Sequence, residues 1–247
     1  MNNTKRFDGK GELYAKARPK YAVELFEYMK KTLKIPERSI IADIGSGTGI
    51  FTEQLLECGY RVYAIEPNAD MRKKAEEKLS VNKDFISVDG TDENTNLSDQ
   101  SVDFITTAQA FHWFNADAFK MECHRILKPN GKIIIVYNSR DENSECTKAL
   151  AELRHKCNPE FHGFSNGISD EKCRSFFDGD CEVFCTDNSQ HYSRDAYIKR
   201  VLSSSYSLDE KDEFFTEYLE EINKLFDRFE VNGIITVPTY TVAYIGK

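Results

Sequence analysis

The sequence predicts a doubly wound α/β fold: a mostly parallel seven-stranded sheet, an inserted helical cap and an N-terminal helical segment. Three observations carry that expectation. From Ser39 to Tyr137, short apolar runs alternate with stretches of helical period. Strands separated by helices in this way run parallel, and right-handed crossovers cover both faces of the sheet. The first apolar run ends in "DIGSGTG" at residues 43–49, a glycine turn of the kind that joins strand to helix beneath a ligand. After Tyr137 the alternation breaks, and two more strand-like runs flank a long stretch that is partly helical.

Taken in order, "RPKYAVELFEYMKKTLKIP" sets Ala22, Leu25, Phe26, Met29 and Leu33 on one helical face, with Pro19 in the first turn and Pro36 beyond the end. "SIIADI" reads as a buried strand, and "IFTEQLLECG" as a helix stopped by Gly59. "RVYAI" and "ADMRKKAEEKLS" are the next strand and helix, while "FISV" and "SVDFITTA" are strands three and four. "ADAFKMECHRILK" is a helix presenting Phe119, Cys123, Ile126 and Leu127; "PNG" is a turn and "KIIIVY" strand five. "CEVFCT" and "TYTVAYI" are candidates for strands six and seven. The stretch between them, residues 187–232, is too long for a hairpin loop. It holds a helix with Phe215, Tyr218, Ile222, Leu225 and Phe229 at helical spacing, with Ser207 and Glu210 as its expected capping box. The whole chain is expected to form one domain. Residues 1–37 are its N-terminal segment and helix, 38–137 its core, and 138–247 a half holding strands six and seven and the cap.

Composition excludes several functions. A net charge of −8 works against a general binder of phosphate backbones, so no nucleic-acid partner is expected. Basic residues do gather before Pro36, where they suit a solvated helix face or a place near an anionic ligand. No run approaches the roughly 18 apolar residues of a membrane span. The N-terminus lacks the apolar core of a secretory signal, and Asp8 and Glu12 do not suit a transit peptide. A cytoplasmic location is expected, with no membrane partner. The seven cysteines are odd in number and none has C-x-x-C spacing. Neither a disulfide framework nor a metal site is expected, and the thiols serve as small hydrophobes. Monomer and homodimer both remain open.

The glycine turn is the first site candidate. Its first glycine allows the chain to bend sharply and its second lets a ligand approach the backbone, while the helix that follows favours an anion at its N-terminus. A dinucleotide site wants G-x-G-x-x-G. Here Gly45, Gly47 and Gly49 give G-x-G-x-G, and Asp43 puts a negative charge where a pyrophosphate would pass. A carboxylate at that position suits a cationic ammonium group, so the expected ligand is a nucleoside without phosphates.

Five motifs then occur in order: "ADIGSGTG", "AIEPNADMRKKA", "SVDGT", "VDFITTAQAFHWF" and "HRILKPNGKIIIV". With them the chain resembles the class I S-adenosylmethionine-dependent methyltransferases, whose fold is Rossmann-like. The "QAFHWF" form, "YAKARPKYAVELF" and "SSSY" are similar to the type 11 branch that includes trans-aconitate methyltransferase-like proteins. The resemblance implies S-adenosyl-L-methionine as cofactor and methylation of a small-molecule acceptor.

It also implies roles for particular residues. Asp43, Gly45, Ser46, Gly47 and Thr48 would cradle the cofactor. Glu66, which ends strand two, can accept both ribose hydroxyls. Pro67, Asn68 and Met71 would flank the adenine, although Met71 also suits plain core. Asp89 can accept from the adenine amino group, with Gly90 and Thr91 supplying backbone contact. Gln109 and Ala110 follow strand four at the sheet's carboxyl edge. Tyr14 and Arg18 lie in a segment that resembles the family's lid, with Arg18 facing the methionyl carboxylate or an acidic acceptor. On the acceptor side stand Phe111, His112, Trp113, Ser204 and Tyr206. His112 is the candidate catalytic base if the acceptor needs one, and a carboxylate acceptor needs none. Methylation of RNA or protein, and a non-catalytic cofactor-binding module that engages a partner, are the competing readings.

Overall fold

The computed structural model describes residues 19–158, 161, 163–164, 169–204, 207–208 and 210–247. Helix α1 (Val23–Lys31) precedes β1 (Ile40–Ile44), α2 (Ile50–Glu57), β2 (Arg61–Ile65), α3 (Ala69–Leu79) and β3 (Phe85–Val88). Then come β4 (Val102–Ala108), a single 3-10 turn (Phe111–Trp113), α4 (Ala116–Ile126) and β5 (Leu127–Arg140). The sheet has seven strands in the order β3-β2-β1-β4-β5-β10-β6, completed by β6 (Glu182–Asp187) and β10 (Thr239–Gly246). β1 to β5 run parallel, and β10 is antiparallel to both β5 and β6.

The central strands read as apolar runs because both of their faces are covered. Ile41, Ala42 and Ile44 of β1 are fully buried, as are Ile133, Ile134, Ile135 and Val136 of β5. Each such aliphatic side chain contributes about 1.5–3 kcal/mol on leaving water. One face packs on Leu25, Phe26 and Met29 of α1 and Phe51 and Leu55 of α2. The other packs on Phe119 and Cys123 of α4 and on Phe176.

The C-terminal half differs from expectation. Two helices that were not anticipated, α5 (Glu145–Cys157) and α6 (Asp170–Phe176), follow β5. The stretch expected to be a helical cap also contains two strands, β7 (Gln190–Ser193) and β8 (Glu230–Val231), which with β9 (Ile234–Val237) just beyond it form a separate antiparallel sheet, β7-β9-β8. With α7 (Arg194–Leu202) and α8 (Phe215–Phe229) they enclose a third core around Leu150, Tyr197, Tyr218, Ile222 and Phe226. The capping box is not formed. α8 begins eight residues after Ser207, at Phe215, with Phe214 as an N-cap that offers no side-chain bond. The Ser207 hydroxyl instead donates to the Tyr218 hydroxyl at 3.3 Å. Pro19 lies ahead of α1 and not in its first turn. "PNG" stays within β5, whose pairing with β4 shifts register there.

Candidate active site

A cavity of about 230 Å³ opens at the carboxyl ends of β1 and β4. The strand order reverses between those two strands, which is where open α/β sheets take ligands. Its wall joins the glycine turn to the C-terminal half of the chain.

At the glycine end, the turn is pinned to the neighbouring strand. The N–H groups of Gly45 and Ser46 donate to the Ile65 carbonyl at 2.9 and 3.1 Å. Gly45 (φ +71) has no room for a side chain: a Cβ would stand 2.6 Å from that of Ala110. Gly47 (φ +57) is different, since a Cβ there would meet nothing within 4 Å. Its bare backbone therefore faces open space in the cavity wall. The Thr48 hydroxyl is buried beside it with no hydrogen-bond partner among the described residues. α2 follows with Gly49 as N-cap and no side-chain cap, which leaves its first N–H groups for a ligand or water.

Glu66 stands across the turn. One carboxylate oxygen accepts the Gly47 N–H at 2.8 Å and the other the Asn68 N–H at 2.9 Å. Each oxygen keeps a second lone pair. Burial pushes the Glu66 carboxyl up, and the two backbone N–H donors oppose that. Pro67, Asn68 and Met71 continue the wall, and the Asn68 side chain caps α3 by accepting from Met71 N at 2.9 Å.

Asp43 is fully buried. Its two oxygens accept from Thr52 Oγ1 at 2.6 Å and Thr106 Oγ1 at 2.9 Å. Burial raises its carboxyl to about 6, against the lowering by those two hydroxyls. Asp43 nevertheless lines the cavity, as expected of a cofactor-side residue; its oxygens are also engaged inside the protein, tying β1 to α2 and β4.

The β3 assignments change. Asp89 is 73% exposed and pairs with Arg72 at 3.1 Å. Gly90 packs on the backbone of Asn94 and Thr95, where a Cβ would come within 2.8 Å of the Thr95 carbonyl. Thr91 closes that turn, its N–H donating to Asn94 O at 2.9 Å. None of the three lines the cavity, whereas Asp92 does. Burial raises the Asp92 carboxyl.

Past β4, Gln109 and Ala110 line the cavity. Gln109 has a left-handed backbone (φ 56), a strained conformation for this residue. Its amide donates to the Asn138 carbonyl at 2.8 Å, linking the ends of β4 and β5. Trp113 and Phe114 also line the cavity, but Phe111 and His112 do not. Phe111 is fully buried against Phe119 and Phe176. The His112 ring lies between those of Trp113 and Tyr137, at 4.7 and 6.1 Å. Phe111 turns into the core and His112 lies against Tyr137, while the next two side chains, Trp113 and Phe114, face the cavity, so the expected catalytic base and the Phe111 acceptor contact lie off its wall. Ser204 is off the cavity as well, its hydroxyl accepting from Arg154 at 2.9 Å. Tyr14, Arg18 and Tyr206 lie outside the described residues.

The far wall was not foreseen. It comprises Asn138 and Arg140 from the end of β5, Gln190 and Tyr192 of β7, Arg200 of α7, and Thr239 at the start of β10. In sequence these positions are scattered. Only the placement of Asn138 and Arg140 just past a strand's carboxyl end marks any of them.

Residues 42–135 match the family described as Methyltransferase domain. An uncharacterized methyltransferase of Schizosaccharomyces pombe is 29% identical over 94% of this chain and 92% of its own length. An uncharacterized methyltransferase of Mycobacterium tuberculosis is 33% identical over 57% of this chain, and the match spans 55% of that relative's length. Among solved structures, a chain from Anaeromyxobacter dehalogenans assigned as a type II methyltransferase superposes with a TM-score of 0.73 at 20% identity, covering 93% of this chain and 97% of that one. A SAM-dependent methyltransferase from Aquifex aeolicus superposes with a TM-score of 0.51 at 20% identity, over 70% and 88% of the two chains.

Proposed function

We propose that this chain is a class I S-adenosylmethionine-dependent methyltransferase, a reading supported by the match of residues 42–135 and by its relatives, and that it transfers the methyl group in line to a small molecule enclosed in the cavity beside the cofactor. One observation carries the reading: a single cavity is walled at one end by the Gly47 backbone and Glu66 and at the other by the polar side chains of the C-terminal half. The residues at the first end fit the cofactor. Gly47 leaves room for close approach, the Thr48 hydroxyl awaits a partner, and Glu66 keeps spare lone pairs for the ribose hydroxyls. Met71 and Pro67 offer apolar surface for the adenine, and Asp92 takes the role first given to Asp89.

When bound, S-adenosylmethionine supplies an electrophilic methyl group on a sulfonium leaving group. The protein's task is alignment and exclusion of water, which contributes roughly 7–11 kcal/mol in well-oriented systems. Trp113 and Phe114 would form the apolar floor beneath the acceptor. A carboxylate acceptor suits this cavity because it arrives deprotonated. Among the described residues, the far wall carries no imidazole or carboxylate to serve as a base.

The test is transfer of labelled methyl from S-adenosylmethionine to a panel of small carboxylic acids, phenols and amines, run beside RNA and protein fractions. Label in a small molecule supports the proposal. Label in RNA or protein alone, or cofactor binding with no transfer to any class, overturns it.

A further inference from the structure

Among the described residues, the far wall of the cavity holds a cation without a counter-ion. Arg140, at the end of β5, is half-buried and lines the cavity. Its guanidinium stands 4.5 Å over the Phe164 ring. Among the described residues no carboxylate pairs with it. The charged group nearest in influence is a second cation, Arg154, and the others are the hydroxyls of Tyr197 and Tyr192 and the Cys146 thiol. Burial first, and then Arg154, pull the Arg140 guanidinium down to about 10, so it stays charged at neutral pH.

Arg154 is itself committed elsewhere. It is 3% exposed, donates to Ser204 Oγ and to the Val201 carbonyl, and shares the Phe164 ring at 5.2 Å. Its Nε is buried with no hydrogen-bond partner among the described residues. A protein interior does not hold two neighbouring guanidinium groups without an anion cheaply, since an uncompensated buried charge is strongly destabilising. Arg140 borders the cavity, and the wall it shares there carries the hydrogen-bonding side chains of Tyr192, Gln190 and Thr239 and a further cation, Arg200.

We infer that Arg140 is the recognition residue for an oxyanion, a carboxylate or phosphate carried by the methyl acceptor, and that this anchored group is not the one methylated. The inference rests on the reading that donor and acceptor share this cavity. The guanidinium fork matches an oxyanion with two parallel hydrogen bonds. Those charge-assisted bonds draw on the oxyanion's negative charge and hold it at the guanidinium, which weakens it as a nucleophile towards the methyl group. A second group of the acceptor must therefore be the nucleophile. Arg140 is then a positioning and specificity residue and takes no part in bond making.

Trp113 supplies the readout. It is the chain's only tryptophan and lines the same cavity. Its fluorescence is followed while propionate, inorganic phosphate or neutral propionamide is added, with sodium chloride at matched ionic strength, in protein alone and in protein saturated with S-adenosylhomocysteine. The expected result is a saturable change with propionate or phosphate and none with propionamide. Arg140→Gln should weaken the oxyanion response at least 10-fold, and Arg140→Lys should restore part of it. S-adenosylhomocysteine affinity, measured on the same samples, should stay within a few-fold and reports that each variant is folded. An equal oxyanion response in Arg140→Gln, or an equal response to propionamide, overturns the inference. Failure of wild-type protein to bind S-adenosylhomocysteine tells instead against the methyl-transfer reading.

Discussion

The Glu66 carboxylate accepts the Gly47 backbone N–H at 2.8 Å, joining the end of β2 to the middle of the glycine turn. The residue expected to hold the ribose thus also fixes the shape of the cradle. The consequence is that neighbouring glycines have separable roles. Gly45→Ala meets the Ala110 Cβ at 2.6 Å on a left-handed backbone and should lower stability by at least about 2 kcal/mol. Gly47→Ala meets nothing within 4 Å, so it should cost about 1–2 kcal/mol from backbone strain alone. It should nevertheless weaken S-adenosylhomocysteine binding more than 10-fold, because its methyl group projects into the ligand space. Urea unfolding and calorimetric titration of both variants check this. Wild-type affinity in Gly47→Ala would show that the ligand keeps away from this backbone.

Asp43 makes folding stability depend on pH. Its folded carboxyl is raised by burial to about 6, above the ordinary value near 3.9. The folded state therefore binds the proton more tightly than the unfolded chain. The group's contribution is greatest below about pH 4 and is lost as pH rises through 6, a change on the order of 2–3 kcal/mol. Asp43→Asn removes this dependence. The stability of wild type relative to Asp43→Asn should fall between pH 4 and 7 in chemical denaturation. A difference that is flat, or that grows with pH, contradicts an Asp43 buried at this cost.

Trp113 and His112 are adjacent but face different surroundings. Trp113→Ala should reduce turnover strongly while S-adenosylhomocysteine affinity stays within a few-fold, because the acceptor loses its alignment and the donor keeps its site. His112→Ala, by contrast, should retain turnover within about 10-fold, well short of the 100- to 10,000-fold that general-base catalysis contributes. Single-turnover rates with labelled methyl donor distinguish the two. A larger loss in His112→Ala than in Trp113→Ala would return His112 to the catalytic role.

The strands were legible because parallel strands buried on both faces are written as unbroken apolar runs, and "RVYAI" and "FISV" coincide with β2 and β3. The glycine turn was legible for a similar reason: left-handed positions at Gly45, Gly47 and Gly49 admit few residue types. Side-chain direction in loops was not. Whether Asp89 or Asp92 faces the cavity depends on Gly90 packing against Thr95 and on Arg72 drawing Asp89 outward, and neither contact has a sequence pattern. The helical period of Cys146, Ala149, Leu150 and Leu153 was present in the sequence but broken up by charged residues, so α5 went unread. Arg140 owes its place to β10 pairing beside β5 and to the C-terminal half folding over both, a long-range arrangement that no local motif records.

The most direct test of the account is calorimetric titration of the wild-type chain and of Glu66→Gln with S-adenosylhomocysteine and with NAD. Wild type should bind S-adenosylhomocysteine at one site and leave NAD unbound, and Glu66→Gln should bind S-adenosylhomocysteine roughly 10- to 100-fold more weakly through loss of charge-assisted bonds to the ribose. Tight binding of NAD, or unchanged S-adenosylhomocysteine affinity in Glu66→Gln, would contradict the assignment of this cradle.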